Sequence, residues 1–144
     1  LYGCVRPFDA VMPYRLEMGA KLAIDDKRDL YAFWGDRLAR IIASNGNATT
    51  VVNLASVEYA RAVLPHIGPK ASIITCIFGE ELRHGKPLQR ASASKKARGS
   101  MVRWMAEHAI EDACQLPAFN VGYRYTPELS SEDTLVFLNN ATSF

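Results

Sequence analysis

Lys95, Lys96, Arg98 and Arg103 set four cations within nine positions, and no acid interrupts them. Such a cluster is either a solvated helix face or a grip for an anion, with phosphate the best match to clustered Lys and Arg. The surrounding charge sharpens the choice. Residues 82–106 carry seven basic side chains (Arg83, Lys86, Arg90, Lys95, Lys96, Arg98, Arg103) and no acid, whereas residues 107–144 carry six acids against Arg124 alone. The net charge of +2 hides this segregation. Two readings follow: the acidic tail neutralises the basic block inside the fold, or the block is a surface for phosphate.

The element that must position these cations is a helix, predicted from about Ser94 to about Ala113. At 100° per residue Ala97, Met101, Trp104, Met105 and Ala109 share one apolar arc, which must face the core. Arg98 and His108 fall within that arc. A buried guanidinium needs a carboxylate or several carbonyls, and Glu17 and Glu58 are candidate partners. A core ion pair and a site role both remain open for Arg98. His108 reads as a satisfied, half-buried imidazole. Lys95, Lys96, Gly99 and Arg103 lie on the other side. Gly99 costs a helix interior about 1 kcal/mol relative to Ala, and it leaves the backbone open between the lysines. With a start at Ser94, Lys95 and Lys96 would fall in the first turn, where free N–H groups and the macrodipole attract anions.

Further elements follow from periodicity. Alternation over Tyr14–Met18 predicts a half-buried strand. Asp29 is suited to cap one helix through "LYAFWGDRLARIIAS", with Leu30, Phe33, Trp34, Leu38, Ile41 and Ile42 as its apolar stripe and a turn at Asn45–Asn47 as its end. "TTVVNLAS" predicts a buried strand ending near Asn53. Ser56 then caps a helix to about Leu64, which Pro65 closes. "ASIITCIF" is a strand, "RHGK" a turn, and "PLQRAS" a weaker returning strand. Two extended pieces, "FNVGYRY" and "DTLVFL", end the chain. Strands and helices intermingle around one sheet, so the expected class is α/β in the mixed α+β sense.

Composition narrows the rest. With 144 residues, 49% hydrophobic and 22% charged, the chain matches a globular protein able to bury a core. No apolar run approaches the roughly 18 residues of a membrane span, so no membrane partner is expected. Cys4, Cys76 and Cys114 are odd in number and widely spaced, which argues for the cytoplasm and against a disulfide framework or structural zinc. Cys76, in mid-strand, reads as a small core residue. His66, His84 and His108 lack ligand spacing; neither a metal nor another cofactor is expected. Leu1-Tyr2-Gly3 reads as the interior of something longer.

Several stretches together resemble a known family. "LYGCVRPFDAVMPYRLEMG", "DLYAFWGDRL", "VVNLASVEYARAV", "SKKARGSMVRWM" and "FNVGYRY" are similar, in order and spacing, to the YaaA-like peroxide stress proteins of bacteria. The resemblance implies a family-specific mixed sheet flanked by helices, with residues 1–144 the C-terminal part of a single longer domain whose front half carries a segment resembling a helix-hairpin-helix. It also implies a protein of peroxide stress that limits iron-dependent damage and binds DNA, duplex or structured, through a basic cleft with low sequence specificity. Matched position by position, Arg6, Arg15, Lys95, Lys96 and Arg103 are the expected phosphate contacts. Tyr14, Glu17, Asn53, Ser56, Glu58, Arg98 and Gly99 are the expected supporting residues. No catalytic residue is assigned. The alternative is an enzyme acting on a nucleotide or phosphorylated small molecule in the same cleft, with Arg15, Glu17, Glu58 and Lys95 converging. No nucleophile motif, metal-ligand cluster or Gly-rich phosphate loop supports it.

Overall fold

The computed structural model describes residues 3–6, 8–13, 17–21, 25–44 and 50–141. Two units make up the chain, one of residues 1–49 and 55–71, the other of residues 50–54 and 72–144.

In the first unit Asp29 caps a helix as expected, its carboxylate accepting the Ala32 N–H at 2.8 Å. The single helix predicted beyond it is instead two, α1 (Leu30–Trp34) and α2 (Arg37–Ser44). Gly35 makes the break: it adopts φ +50°, a conformation that penalises any side chain, and donates its N–H to the Tyr31 carbonyl. The interruption shifts the phase of the apolar stripe. Leu30 and Leu38 are buried, but Ile41 turns outward and Ala39 takes its place inside. Met18 and Ala62 complete this small core, and Phe33 meets Trp34 edge-on at 5.2 Å. Residues 14–16 of the strand expected over Tyr14–Met18, and the turn at Asn45–Asn47, lie outside the described residues. Glu17–Ala20 forms a turn rather than a strand, closed by Ala20 N–H on the Glu17 carbonyl. Ser56 caps α3, which is only Val57–Ala60, and a 3₁₀ turn at Leu64–His66 follows. Pro65 thus sits in the first turn of the next segment, where its missing N–H costs nothing, instead of closing the helix, which has already ended at Ala60.

The second unit is built on a four-stranded sheet. β1 (Thr50–Asn53), β2 (Ser72–Gly79), β5 (Tyr123–Tyr125) and β6 (Thr134–Asn139) run in the order β1-β2-β6-β5. β1 and β6 flank β2 in parallel, while β5 is antiparallel to β6. This mixed sheet with helices realises the expected α+β class. Leu135–Leu138 are all buried, as befits a central strand covered on both faces. β3 (Glu81–Arg83) and β4 (Lys86–Leu88) form a separate hairpin around His84 and Gly85, both with positive φ. That conformation matches the twist of a two-residue hairpin.

One long helix, α4 (Ala91–Glu107), packs on the sheet through Ala97, Met101 and Trp104. It starts three residues before and stops six residues before the predicted limits. Ser94 does not cap it; the hydroxyl is buried and donates to the Phe78 carbonyl at 3.4 Å. Ala109, at φ +48°, turns the chain away, and Asp112 caps the following 3₁₀ segment Ala113–Ala118. The core centres on Phe78 stacked against Phe137 at 5.4 Å, with Phe119 edge-on to both and to Trp104. Cys76 belongs to this core as expected, and burial pushes its thiol up to about 12.

Gly79 is where the hairpin meets the sheet. A Cβ there would lie 2.8 Å from Pro87 Cβ and 2.9 Å from Leu138 Cδ2. Gly79→Ala must push apart two packed groups, and we expect it to lower stability by about 1–3 kcal/mol, read as a reduced urea midpoint with an unchanged slope.

Candidate functional site

The rotation of α4 decides which cations meet solvent. Ser94, Ala97, Met101 and Trp104 are buried, so Lys95, Lys96, Gly99 and Arg103 lie on the exposed side as predicted. Gly99 has Lys95 and Lys96 one turn before it and Arg103 one turn after it. No atom lies within 4 Å of where its Cβ would be, so the backbone there is open to close approach. Because α4 starts at Ala91, however, the lysines stand in its second turn. The Ser94 N–H already meets the Arg90 carbonyl at 2.8 Å, so the free N–H groups of the helix end precede Ser94 and lie a turn before the lysines, which gain nothing from them.

The cations differ in how they are matched. Arg103 donates to Glu107 at 2.7 Å, and this bond raises its pKa. Arg90 pairs with Glu81 at 2.9 Å. Among the described residues Lys95 and Lys96 make no ion pair. The neutralisation of the basic block by the acidic tail is therefore confined to Arg103 and Glu107. Elsewhere in the tail, Asp133 accepts from Ser131 and Thr134 and Asp112 caps its own turn; these bonds lower both pKa values.

Arg98 departs from its expectation. It is partly buried, yet it forms no ion pair among the described residues, and its Nε is sealed from solvent without an acceptor. Glu58, a candidate partner, accepts the Met18 N–H at 2.7 Å, while Glu17 is exposed. His108 is satisfied, with Nδ1 2.9 Å from the Trp104 carbonyl, though its ring is more exposed than expected.

The remaining candidates belong to both units. Asn53, buried at the end of β1, donates to Thr75 Oγ1 at 3.2 Å. In the other unit Ser56 caps α3, Glu58 ties down Met18, and the Glu58 carbonyl accepts from Tyr31. Arg6 is exposed and bound through Nε and Nη2 to Asp9, which also accepts the Arg6 N–H. Tyr14 and Arg15 lie outside the described residues. No group of three or more His, Cys, Asp or Glu suited to a metal occurs among the described residues.

One polar cluster was not assembled from the sequence. Tyr123 donates its hydroxyl to Glu80 Oε1, and Asn139 donates its amide to Glu80 Oε2 at 3.3 Å. The register places Tyr123 opposite Asn139. Burial, then the bond to Glu80, pushes the Tyr123 phenol up to about 12. Only the acid directly after an apolar strand hinted at it, since the partners lie 43 and 59 residues away.

The family model described as "Peroxide stress protein YaaA" matches residues 1–129. The chain is 43% identical over 137 residues to a UPF0246 protein of Limosilactobacillus reuteri, covering 94% of this chain and 54% of the relative. A UPF0246 protein of Desulfitobacterium hafniense is 44% identical over 138 residues, covering 95% and 54%. One of Pediococcus pentosaceus is 45% identical over 140 residues, covering 96% and 55%. The chain thus spans about half the length of the curated relatives it matches. No described helix is long and apolar enough to cross a membrane.

Two expectations follow from this geometry. Gly99→Ala should raise stability by about 1 kcal/mol, since the new methyl meets nothing and helix propensity improves; thermal melting checks it. Tyr123→Phe should cost about 1–3 kcal/mol at neutral pH by stripping a donor from a partly buried carboxylate. Because the folded phenol titrates above its ordinary value of 10, its stabilisation is complete below pH 10. It fades as pH rises toward 12, so the gap between wild type and Tyr123→Phe should narrow there.

Proposed function

Because this chain belongs to the family described as peroxide stress protein YaaA, we propose that it serves peroxide defence by binding nucleic acid through the exposed side of α4. The observation that carries the reading is the pair of exposed, ion-pair-free lysines one turn before an open glycine. Their ammonium groups need no internal partner to be displaced before they meet a phosphate. Binding of this kind neutralises backbone charge and releases condensed counterions, with no dependence on base identity.

A link to iron follows from the same physics. Ferrous ions in the counterion atmosphere of a nucleic acid are where peroxide would generate damaging radicals against the sugar and bases. A protein that replaces those cations with lysine displaces the metal from the backbone. Limiting iron-dependent damage then needs no metal site and no catalytic step.

The test is duplex binding across a series of salt concentrations. The logarithm of affinity should fall linearly with the logarithm of salt. Lys95→Gln combined with Lys96→Gln should weaken binding at low salt and flatten the slope by about two. A double variant that binds as wild type at every salt concentration would reject this surface.

A further inference from the structure

Arg98 differs from every other cation of α4. Its neighbours on the helix surface are Ser94 and Met101 on the buried side and Lys95 and Val102 on the exposed side. The side chain therefore lies along the border of the packed stripe. A guanidinium cannot shed its charge in a protein, and here one of its donors is closed off from water with no acceptor. An unmade bond at a sealed donor is more costly than a made one is favourable. Packing alone gives no reason for it, since an unbranched apolar side chain would line the same border without that penalty.

The surroundings say what the donor lacks. Among the described residues no carboxylate engages Arg98, and Arg103, the other arginine of this helix, is already held by Glu107. Lys95 stands three residues before Arg98 on the same flank, and Gly99 beside it leaves the helix surface bare. An oxyanion placed over Gly99 by Lys95 would therefore be within the sweep of the Arg98 side chain. Turning the head outward while the aliphatic stem stays on the apolar border keeps most of its packing.

Resting on the reading of the α4 face as a phosphate surface, we propose that Arg98 is its gripping residue and that it acts by an outward swing. Without ligand the guanidinium is parked with Nε unpaired. A phosphate group held by Lys95 draws it out, and Nε with one Nη binds two phosphate oxygens in parallel. Charge-assisted, two-pronged bonds of this kind suit Arg and not Lys. The chemistry recognised is a phosphate oxyanion, carried either by a nucleic-acid backbone or by a small phosphate ester.

Arginine Nε–H resonances of the 144-residue chain report this directly, with the Arg98 signal identified by its loss in Arg98→Lys. Inorganic phosphate and a short DNA duplex are the two probes. A shift of the Arg98 signal with the duplex alone assigns the grip to backbone phosphate. A shift with inorganic phosphate alone assigns it to a small phosphate ester, and a shift with both supports the grip for either source. An Arg98 signal that stays fixed at saturation with both probes overturns the proposal. If Lys95→Gln with Lys96→Gln still weakens duplex binding in that case, the surface survives without the grip; if it does not, both readings fall. Arg98→Met gives a second check. Its melting temperature without anion should equal or exceed that of wild type, and its affinity for the effective probe should drop about tenfold. A variant that melts well below wild type and binds unchanged would make Arg98 purely structural and sink the swing.

Discussion

The contact of Met101 and Trp104 with the aromatic cluster of the sheet is the constraint on which the rest depends. Trp104 lies edge-on to Phe119, which in turn meets both Phe78 and Phe137. Burying such side chains contributes about 1.5–3 kcal/mol apiece, and their shape leaves one rotational setting for the helix. Ser94, hydrogen-bonded to the Phe78 carbonyl two turns earlier, fixes the same rotation at the other end. The exposure of every basic side chain on α4 is downstream of this. A slip of one residue would turn the helix by about 100°, carrying the lysines toward the sheet and Met101 into water.

Within that frame the cations divide by how tightly each is already held. The Arg103–Glu107 and Arg90–Glu81 pairs are exposed on both partners, and exposed pairs contribute only about 0.2–1 kcal/mol. Glu107 therefore restrains Arg103 without removing it from use; a multivalent anion would compete with a single carboxylate at modest cost. Lys95 and Lys96 face no such competition. Arg98 is the opposite case, restrained by an incomplete burial that favours its departure. Three kinds of restraint on one helix give a graded surface in place of the uniform one that charge counting suggests.

How much of this was legible depended on whether the deciding contact was local. The strands at Thr50–Asn53 and Ser72–Gly79, the Asp29 and Ser56 caps and the His84–Gly85 turn were readable because each is set by residues within a few positions. The split at Gly35 was missed because the apolar stripe continues in sequence across a residue whose backbone reverses. The start of α4 was placed three residues late because it has no side-chain cap to mark it, and Ser94 is bound instead to the distant Phe78 carbonyl. For Arg98 the sequence supplied the demand, a partner for a half-buried charge, but not whether the demand is met, because any partner is distant in the chain. The Glu80 cluster needed the register of β5 on β6 before it could be seen at all.

That cluster also bears on why the lysines stand unneutralised. Glu80 and Glu81 are the acids immediately before the basic block in sequence. Gly79 lets the hairpin close onto the end of β2, with Pro87 against its bare Cα and the Glu80 N–H bonded to the Leu88 carbonyl. The same closure leaves Glu80 under Tyr123 and Asn139, while Glu81 reaches Arg90. Both carboxylates are thereby engaged before α4 begins, and neither is left to fold over its exposed side. The hairpin is thus electrostatic as well as architectural: it occupies both of the acids that precede the basic block.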